Sequence, residues 1–374
     1  MKLIVTLGAT LPKYKHYYII DDKKYFEFFS FLAVKKHFSI KDKDIIILGT
    51  QKTKDDLKDY ISDYKLVVLP DDDIEFMFEK AVELIEKDTV LDITQSFRLI
   101  SFAPFLAANV ANTLGKSIDD ILYAQVLDGK IPTKESCVFK FLSLKKYQDI
   151  NDLTRVINSF IKSWYVEKIE IDEFNNIYEI LLSISEKLLS NDINVINEIE
   201  ELNNLIKVEK NIKFKFLKDY FELLQEEMNL IRNILLFEDY KKYFEFSKIY
   251  LKKNLLLQSL TYLFESVTAY LEYIADSKFL ECKKNNRLVF KDNNNKYNWR
   301  NCLKSKFSRY GCGFKNMNRF VFRINNCKEF QLKLAKIDHL RNDSAHVFIN
   351  GKKVDDMKNE IKELIDFFDG YFNG

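Results

Sequence analysis

No proline occurs between Asp149 and the C-terminus of this 374-residue chain, and glycine is scarce there. Such a stretch can run as long helices, because proline is the residue that interrupts them most strongly. Its apolar residues also recur at helical spacing. In Ile177, Ile180, Leu181, Ile184 and Leu188 they return every three or four positions, which lines one face of a helix. Most of residues 150–275 therefore reads as successive amphipathic helices, with a final helix expected over Val354–Phe368.

The chain before Lys145 has another rhythm. Short apolar runs at Lys2–Leu7, Asp44–Leu48, Lys65–Leu69, Thr89–Ile93 and Asp120–Val126 read as strands. Amphipathic stretches at Lys23–His37, Lys52–Ser62, Ile74–Lys87 and Ser96–Leu114 read as helices between them. Strands without polar alternation suit a parallel sheet covered on both faces. Strand–helix alternation with short loops predicts a Rossmann-like, doubly wound α/β sheet. We expect two domains: residues 1–147, α/β, and residues 148–374, all-α.

Composition narrows the function classes. The chain is 47% hydrophobic and 30% charged, with a formal net charge of +2, which excludes a disordered chain and a uniformly basic surface. The N-terminus lacks a secretory h-region, and no apolar run reaches membrane-spanning length. Five cysteines at irregular spacing read as free thiols of a reducing cytoplasm. Cys282, Cys302, Cys312 and Cys327 form a loose group without a CxxC pair or a nearby histidine. We read them as scattered thiols rather than a zinc site.

Charge gathers in one place. Between Lys278 and Lys336, bases such as Lys283, Lys284, Arg287, Arg300, Arg309 and Arg323 outnumber Glu281, Asp292 and Glu329. Phe307, Tyr310, Phe314 and Phe320 interleave with them. This pattern suits a single-stranded nucleic acid, and equally a solvated face over core aromatics.

In open α/β sheets, ligands bind beyond the carboxyl ends of the strands. After the first strand come Gly8, Ala9 and Thr10; after the second come Gly49, Thr50 and Gln51. After the fourth comes Thr94-Gln95-Ser96-Phe97-Arg98, entering a helix. Small residues let a backbone approach a phosphate or ribose, and a helix N-terminus favours anions. Neither GxGxxG nor GxxxxGK[ST] is present, which argues against a dinucleotide cofactor and an NTPase P-loop. On chemistry alone these turns are either a ligand site or helix caps with a paired arginine.

The string Leu91-Asp92-Ile93-Thr94-Gln95-Ser96-Phe97-Arg98, running into Phe102-Ala103-Pro104-Phe105, resembles the signature of CARF domains, the cyclic-oligoadenylate sensors of type III CRISPR systems. Gln95 and Ser96 stand where the commoner form has His-Gly. Leu7-Gly8-Ala9-Thr10 and the segment holding Tyr14, Tyr17, Tyr18 and Tyr25 add to the likeness. The resemblance implies a cyclic oligoadenylate, tetra-adenylate first and hexa-adenylate second, held by Gly8–Thr10 and Thr94–Arg98 of two chains as an allosteric activator.

Four histidines limit any imidazole chemistry: His16, His37, His339 and His346. Arg341-Asn342-Asp343-Ser344-Ala345-His346 places Arg and His five positions apart, about 140° around an ideal helix. Either that helix ends near Ser344 or a second chain completes the site. The spacing resembles the RNxxxH motif of HEPN ribonucleases. That resemblance implies Arg341, Asn342 and His346 as catalytic residues, a homodimer whose paired motifs line one cleft, single-stranded RNA as substrate and no metal. Histidine can shuttle protons near neutral pH, and arginine can stabilise charge on a phosphate. Two other functions stay open at this point: a non-catalytic sensor with a helical binding module, and a sensor domain that also degrades its ring.

Overall fold

The computed structural model describes residues 1–70, 72–95, 98–116, 118–209, 215–273, 327–345 and 354–372. The chain divides into two compact units, Met1–Arg155 with Glu167–Asn175, and Val156–Val166 with Asn176–Gly374.

The first unit is built on one eight-stranded mixed sheet. Its strands are β1 (Lys2–Leu7), β2 (His16–Ile20), β3 (Lys23–Glu27), β4 (Ile45–Gly49), β5 (Lys65–Val68), β6 (Thr89–Gln95), β7 (Ile118–Val126) and β8 (Val138–Ser143). They lie in the order β3-β2-β8-β7-β6-β1-β4-β5. The five strands β5-β4-β1-β6-β7 are mutually parallel. β8 runs antiparallel to β7, β2 parallel to β8, and β3 antiparallel to β2.

The helices of this unit include α1 (Ser30–Phe38), α2 (Gln51–Asp56), α3 (Lys58–Ile61), α4 (Ile74–Leu84) and α5 (Arg98–Thr113). Side chains alternate along β1, so Leu3, Val5 and Leu7 enter one core with Phe31, Ala33 and Val34 of α1. Ile4 enters the other core, with Met77 and Ala81 of α4 and Ala103, Ala107 and Ala111 of α5. The continuous apolar runs seen in the sequence follow from this double covering.

The structure corrects the helix expected over Lys23–His37. Lys23–Glu27 is a strand of a hairpin with β2, and the helix begins only at Ser30. The helical pattern of the apolar residues had run across the boundary. Tyr25 and Tyr18 pair across the hairpin, so tertiary pairing outweighs the local periodicity. The expected helix at Lys52–Ser62 is two short ones, α2 and α3, meeting at Leu57. β2 and β8, which the sequence did not suggest, carry the sheet beyond β7.

The second unit is helical. It contains α7 (Asn175–Leu189), α8 (Ile196–Glu209), α9 (Lys215–Leu235), α10 (Asp239–Lys252), α11 (Leu256–Tyr273), α12 (Cys327–Ala345) and α13 (Val354–Phe372), and it shares α6 (Lys145–Ser163) with the first. Ile177, Ile180, Leu181, Ile184 and Leu188 are all buried, as their spacing predicts. Trp164 is fully buried, donates its indole N–H to Glu227 at 2.6 Å, and lies beneath the Lys253 ammonium. Glu227 and Lys253 form a largely enclosed ion pair at 2.8 Å. No helix among the described residues is long and apolar enough to cross a membrane.

Gly49 shows how tightly the β4 turn is made. A Cβ there would lie 2.8 Å from Thr53 Cγ2, 2.9 Å from Thr53 Cβ and 3.2 Å from the Leu7 carbonyl oxygen. Thr53 is buried and helical, so it has no free path away. Gly49→Ala is expected to destabilise the chain by about 1–3 kcal/mol, the usual cost of overpacking. Chemical denaturation measures this; an unchanged midpoint would show that the α2 turn gives way freely.

Candidate functional site

The strand order fixes where a ligand site can form. After the β2–β3 hairpin at the far edge, the chain adds β4 and β5 on one side of β1, then β6 and β7 on the other. The carboxyl ends of β1 and β6 therefore form the switch point of the parallel part, the place where such sheets open a crevice. Leu7 pairs with Gln95 there, and the Gly8 N–H donates to the Gln95 carbonyl at 2.5 Å.

Beneath this junction lies Asp92, with no solvent exposure. Its Oδ2 accepts from the Ser30 hydroxyl at 2.7 Å, and its Oδ1 from the Thr94 N–H at 3.0 Å. Gln95 Oε1 accepts from the Ser30 N–H at 2.9 Å, while its Nε2 donates to the Tyr18 hydroxyl at 3.3 Å. Ser30 is the first residue of α1, whose N-cap Phe29 supplies no side-chain bond. Gln95 thus satisfies an amide that the helix leaves open. Thr6 and Ser101 complete the layer: the Thr6 hydroxyl donates to the Asp92 carbonyl at 3.3 Å, and the Ser101 hydroxyl to the Ile93 carbonyl at 3.1 Å.

Burial pushes the Asp92 carboxyl above its ordinary value, and the hydrogen bonds from Thr94 and Ser30 pull it back only in part. The Tyr18 hydroxyl is also pushed up, first by burial and then by the charge of Asp92.

The expected site residues distribute as follows. Gly8 is half-buried, Ala9 buried and Thr10 exposed. Thr50 is buried and caps α2: its hydroxyl accepts from the Thr53 N–H, and the Thr53 hydroxyl donates in turn to the Leu7 carbonyl. Gln51 is exposed and donates to Asp55 at 2.9 Å. Thr94 does not cap the following helix; it belongs to β6, and its hydroxyl accepts from the Ala124 N–H at 3.0 Å. Ser96 and Phe97 lie outside the described residues, and Arg98 opens α5.

In the helical unit, α12 presents Phe330, Leu334, Ile337 and Leu340 to a core shared with α11 and α13. Arg341 follows on that helix. Its guanidinium carbon lies 4.6 Å from the Phe264 ring centroid, and its Nη2 donates to Asp338 at 2.9 Å. The ring face attracts the cation, and five N–H donors mean that one bond to Asp338 does not exhaust it. Asn342 is exposed on the same helix, which continues to Ala345. His346 lies outside the described residues, as do Cys282, Cys302 and Cys312 and most of the basic stretch. Among the described residues, no group of three or more His, Cys, Asp or Glu is placed to hold a metal ion.

No family model and no curated protein matches the chain. Among solved structures the chain is similar to Enterococcus italicus Csm6 bound to cyclic hexa-2'-fluoro-hexa-dAMP. The match covers 98% of this chain and 94% of that one, with 12% identity and a TM-score of 0.40.

Ser30, Thr53 and Thr6 were not visible in the sequence, and none belongs to a motif; Tyr18 was visible only as one of several tyrosines in its segment. Each reaches the junction through a strand pairing or helix placement that adjacent residues do not encode. Asp92 was visible within its string, but its burial was not.

The raised Asp92 carboxyl fixes a pH dependence. Because the folded value lies above the ordinary 3.8, ionising Asp92 costs stability. That cost is absent below the unfolded value, grows as pH rises through the folded value, and is complete above it. Asp92→Asn removes the charge, and the Ser30 hydroxyl can turn to donate to Gln95 Oε1, 3.3 Å away. The variant is expected to melt roughly 2 °C or more above the parent at pH 8, with the gap closing towards pH 4. Thermal melts across pH check this; a variant less stable at pH 8 would contradict it.

Proposed function

We propose that this chain is a cyclic-oligoadenylate-activated, metal-independent endoribonuclease that works as a cytoplasmic homodimer in type III CRISPR antiviral defence. Residues 1–147 sense the ring and residues 148–374 cut single-stranded RNA. The observation that carries the reading is the β1–β6 junction: the CARF-like string Asp92–Arg98 leaves the sheet at its switch point, beside the Gly8 turn.

Side chains that face inward at the junction, Asp92 and Gln95 above all, hold the backbone still. The outer edge is left to Gly8, Ala9, Thr10 and the start of α5, with Gln51 on its flank. A rigid edge of small residues next to a helix N-terminus suits the phosphates and riboses of a cyclic oligoadenylate, tetra-adenylate first and hexa-adenylate second. The ring activates by favouring one arrangement of the two chains over another, which requires different affinities for the two.

The RNA brings its own nucleophile. The 2′-oxygen forms a new bond to the adjacent phosphorus as the bond from phosphorus to the 5′-oxygen breaks. Neutral His346 accepts the 2′-hydroxyl proton, and an imidazolium returns a proton to the leaving 5′-oxygen. Arg341, which lies over the Phe264 ring, clamps the phosphate and stabilises the charge growing on its free oxygens. Asn342 orients the phosphate or the imidazole. The products are a 2′,3′-cyclic phosphate and a 5′-hydroxyl.

The test is cleavage of a fluorogenic single-stranded RNA in EDTA, with and without each ring. We expect cleavage only with one ring. Arg341→Ala and His346→Ala each lower it by on the order of 10²–10⁴-fold while ring binding persists. A doubly substituted chain that still cuts on activation would remove both residues from the reaction. Ring binding without cleavage by the parent would leave a sensor with a helical binding module.

A further inference from the structure

Beyond β7 the sheet continues through β8, β2 and β3, but α4 and α5 do not follow it. The inward positions of these strands are fixed by burial: Tyr18, Ile20, Leu122, Ala124, Phe139 and Phe141 lie in the core on the α1 side. Alternation turns the residues between them to the opposite face. There α4 and α5 cover Ile4, Ile46, Leu91 and Ile121, and the cover ends.

Past that point the face is open and apolar. Tyr17 is 38% exposed, Phe26 47%, Tyr123 42% and Leu142 39%. Register places Phe26 opposite Tyr17 and Tyr123 opposite Leu142. The Tyr17 and Phe26 rings lie 4.6 Å apart at 34°. Between the two apolar rows sit Lys24 and Lys140, both exposed and both paired to Ile19. The Lys24 ammonium lies 4.1 Å from the Tyr17 ring centroid. Val138 and Gln125 fill the remaining outward positions, so the outward strand positions carry no carboxylate; Asp128 borders them, its Oδ2 accepting from the Val138 N–H at 3.0 Å, and the Lys15 ammonium lies 5.9 Å from the Phe26 ring centroid.

Rings at both ends of an open sheet, ammonium groups between them and no acid on the outward strand positions form a surface for bases and phosphates together. Rings stack on unpaired bases whatever their identity, and lysines meet the backbone between them. A protein partner of ordinary composition would leave the two ammonium groups covered and unpaired at a cost. A polyanion does not.

We propose that this open sheet face binds single-stranded RNA, with Tyr17, Phe26 and Tyr123 stacking on bases and Lys24 and Lys140 on phosphates. This contact is separate from the junction of β1 and β6 and from Arg341, and it stands whether or not the chain cuts RNA.

The test uses the full chain and a fluorescein-labelled 2′-O-methyl oligouridylate of about 12 nucleotides, within the usual span of such sites. That probe lacks the nucleophile for cleavage, so binding is read by anisotropy without turnover. Tyr17→Ala/Phe26→Ala is expected to weaken binding about tenfold or more, while Tyr17→Phe keeps the affinity of the parent. Lys24→Ala/Lys140→Ala is expected to flatten the dependence of log affinity on log salt by about 1.4, at roughly 0.7 for each phosphate contact. Melting curves show that each variant is folded. Folded ring and lysine variants that bind as the parent does would overturn the proposal. So would loss of binding in Arg341→Ala alone, or a change in particle mass in the face variants with RNA affinity unchanged, which would give this face to a second copy of the chain.

Discussion

A carboxylate with no access to water sets the geometry of the first unit. An isolated ion could not stay at the position of Asp92, because taking such a charge out of water costs far more than a domain can spare. It stays because β6 supplies the Thr94 amide and α1 supplies the Ser30 hydroxyl, both within 3.0 Å. These donors come from segments more than sixty residues apart. Satisfying Asp92 therefore requires that α1 begin at one point above the sheet and that β6 end at another. Gln95 repeats the requirement through the Ser30 amide and ties in β2 through Tyr18. The result is a strand end whose polar side chains are committed inward. Its outer edge is held in place by folding itself.

The helical unit applies the same logic to cations. Lys253 is nearly enclosed, and is kept there by Glu227 and the face of Trp164. Arg341 is more open, but Asp338 and the Phe264 ring fix its fork. A guanidinium free to rotate would lose rotamer entropy on meeting a phosphate; one already held by a carboxylate has lost part of it in folding. The core of Phe330, Leu334, Ile337 and Leu340 that seats α12 therefore also sets the direction of Arg341.

The sheet shows where local pattern stops being a guide. Strands of the parallel part were legible because burial on both faces forces continuous apolar runs, as in Ile45–Gly49. Among the described residues β2, β3 and β8 are covered on one face only, so Tyr17, Phe26 and Leu142 stay exposed and the runs are broken by lysines. A run mixed in this way has the pattern of one side of a helix, as Lys23–His37 does. Only pairing with β2 settles the matter.

By itself the sequence determined the two-part organisation, the parallel strands, the helical second half and the strings Asp92–Arg98 and Arg341–His346. These depend on periodicity and on neighbouring residue types, which a linear chain displays. The tertiary structure alone decided that Asp92 is enclosed, that Ser30, Tyr18 and Gln95 surround it, that Arg341 lies over the Phe264 ring, and that the sheet outruns its helices. Each of these joins residues far apart in the chain, and such contacts follow from the packing of whole elements, which no local pattern records.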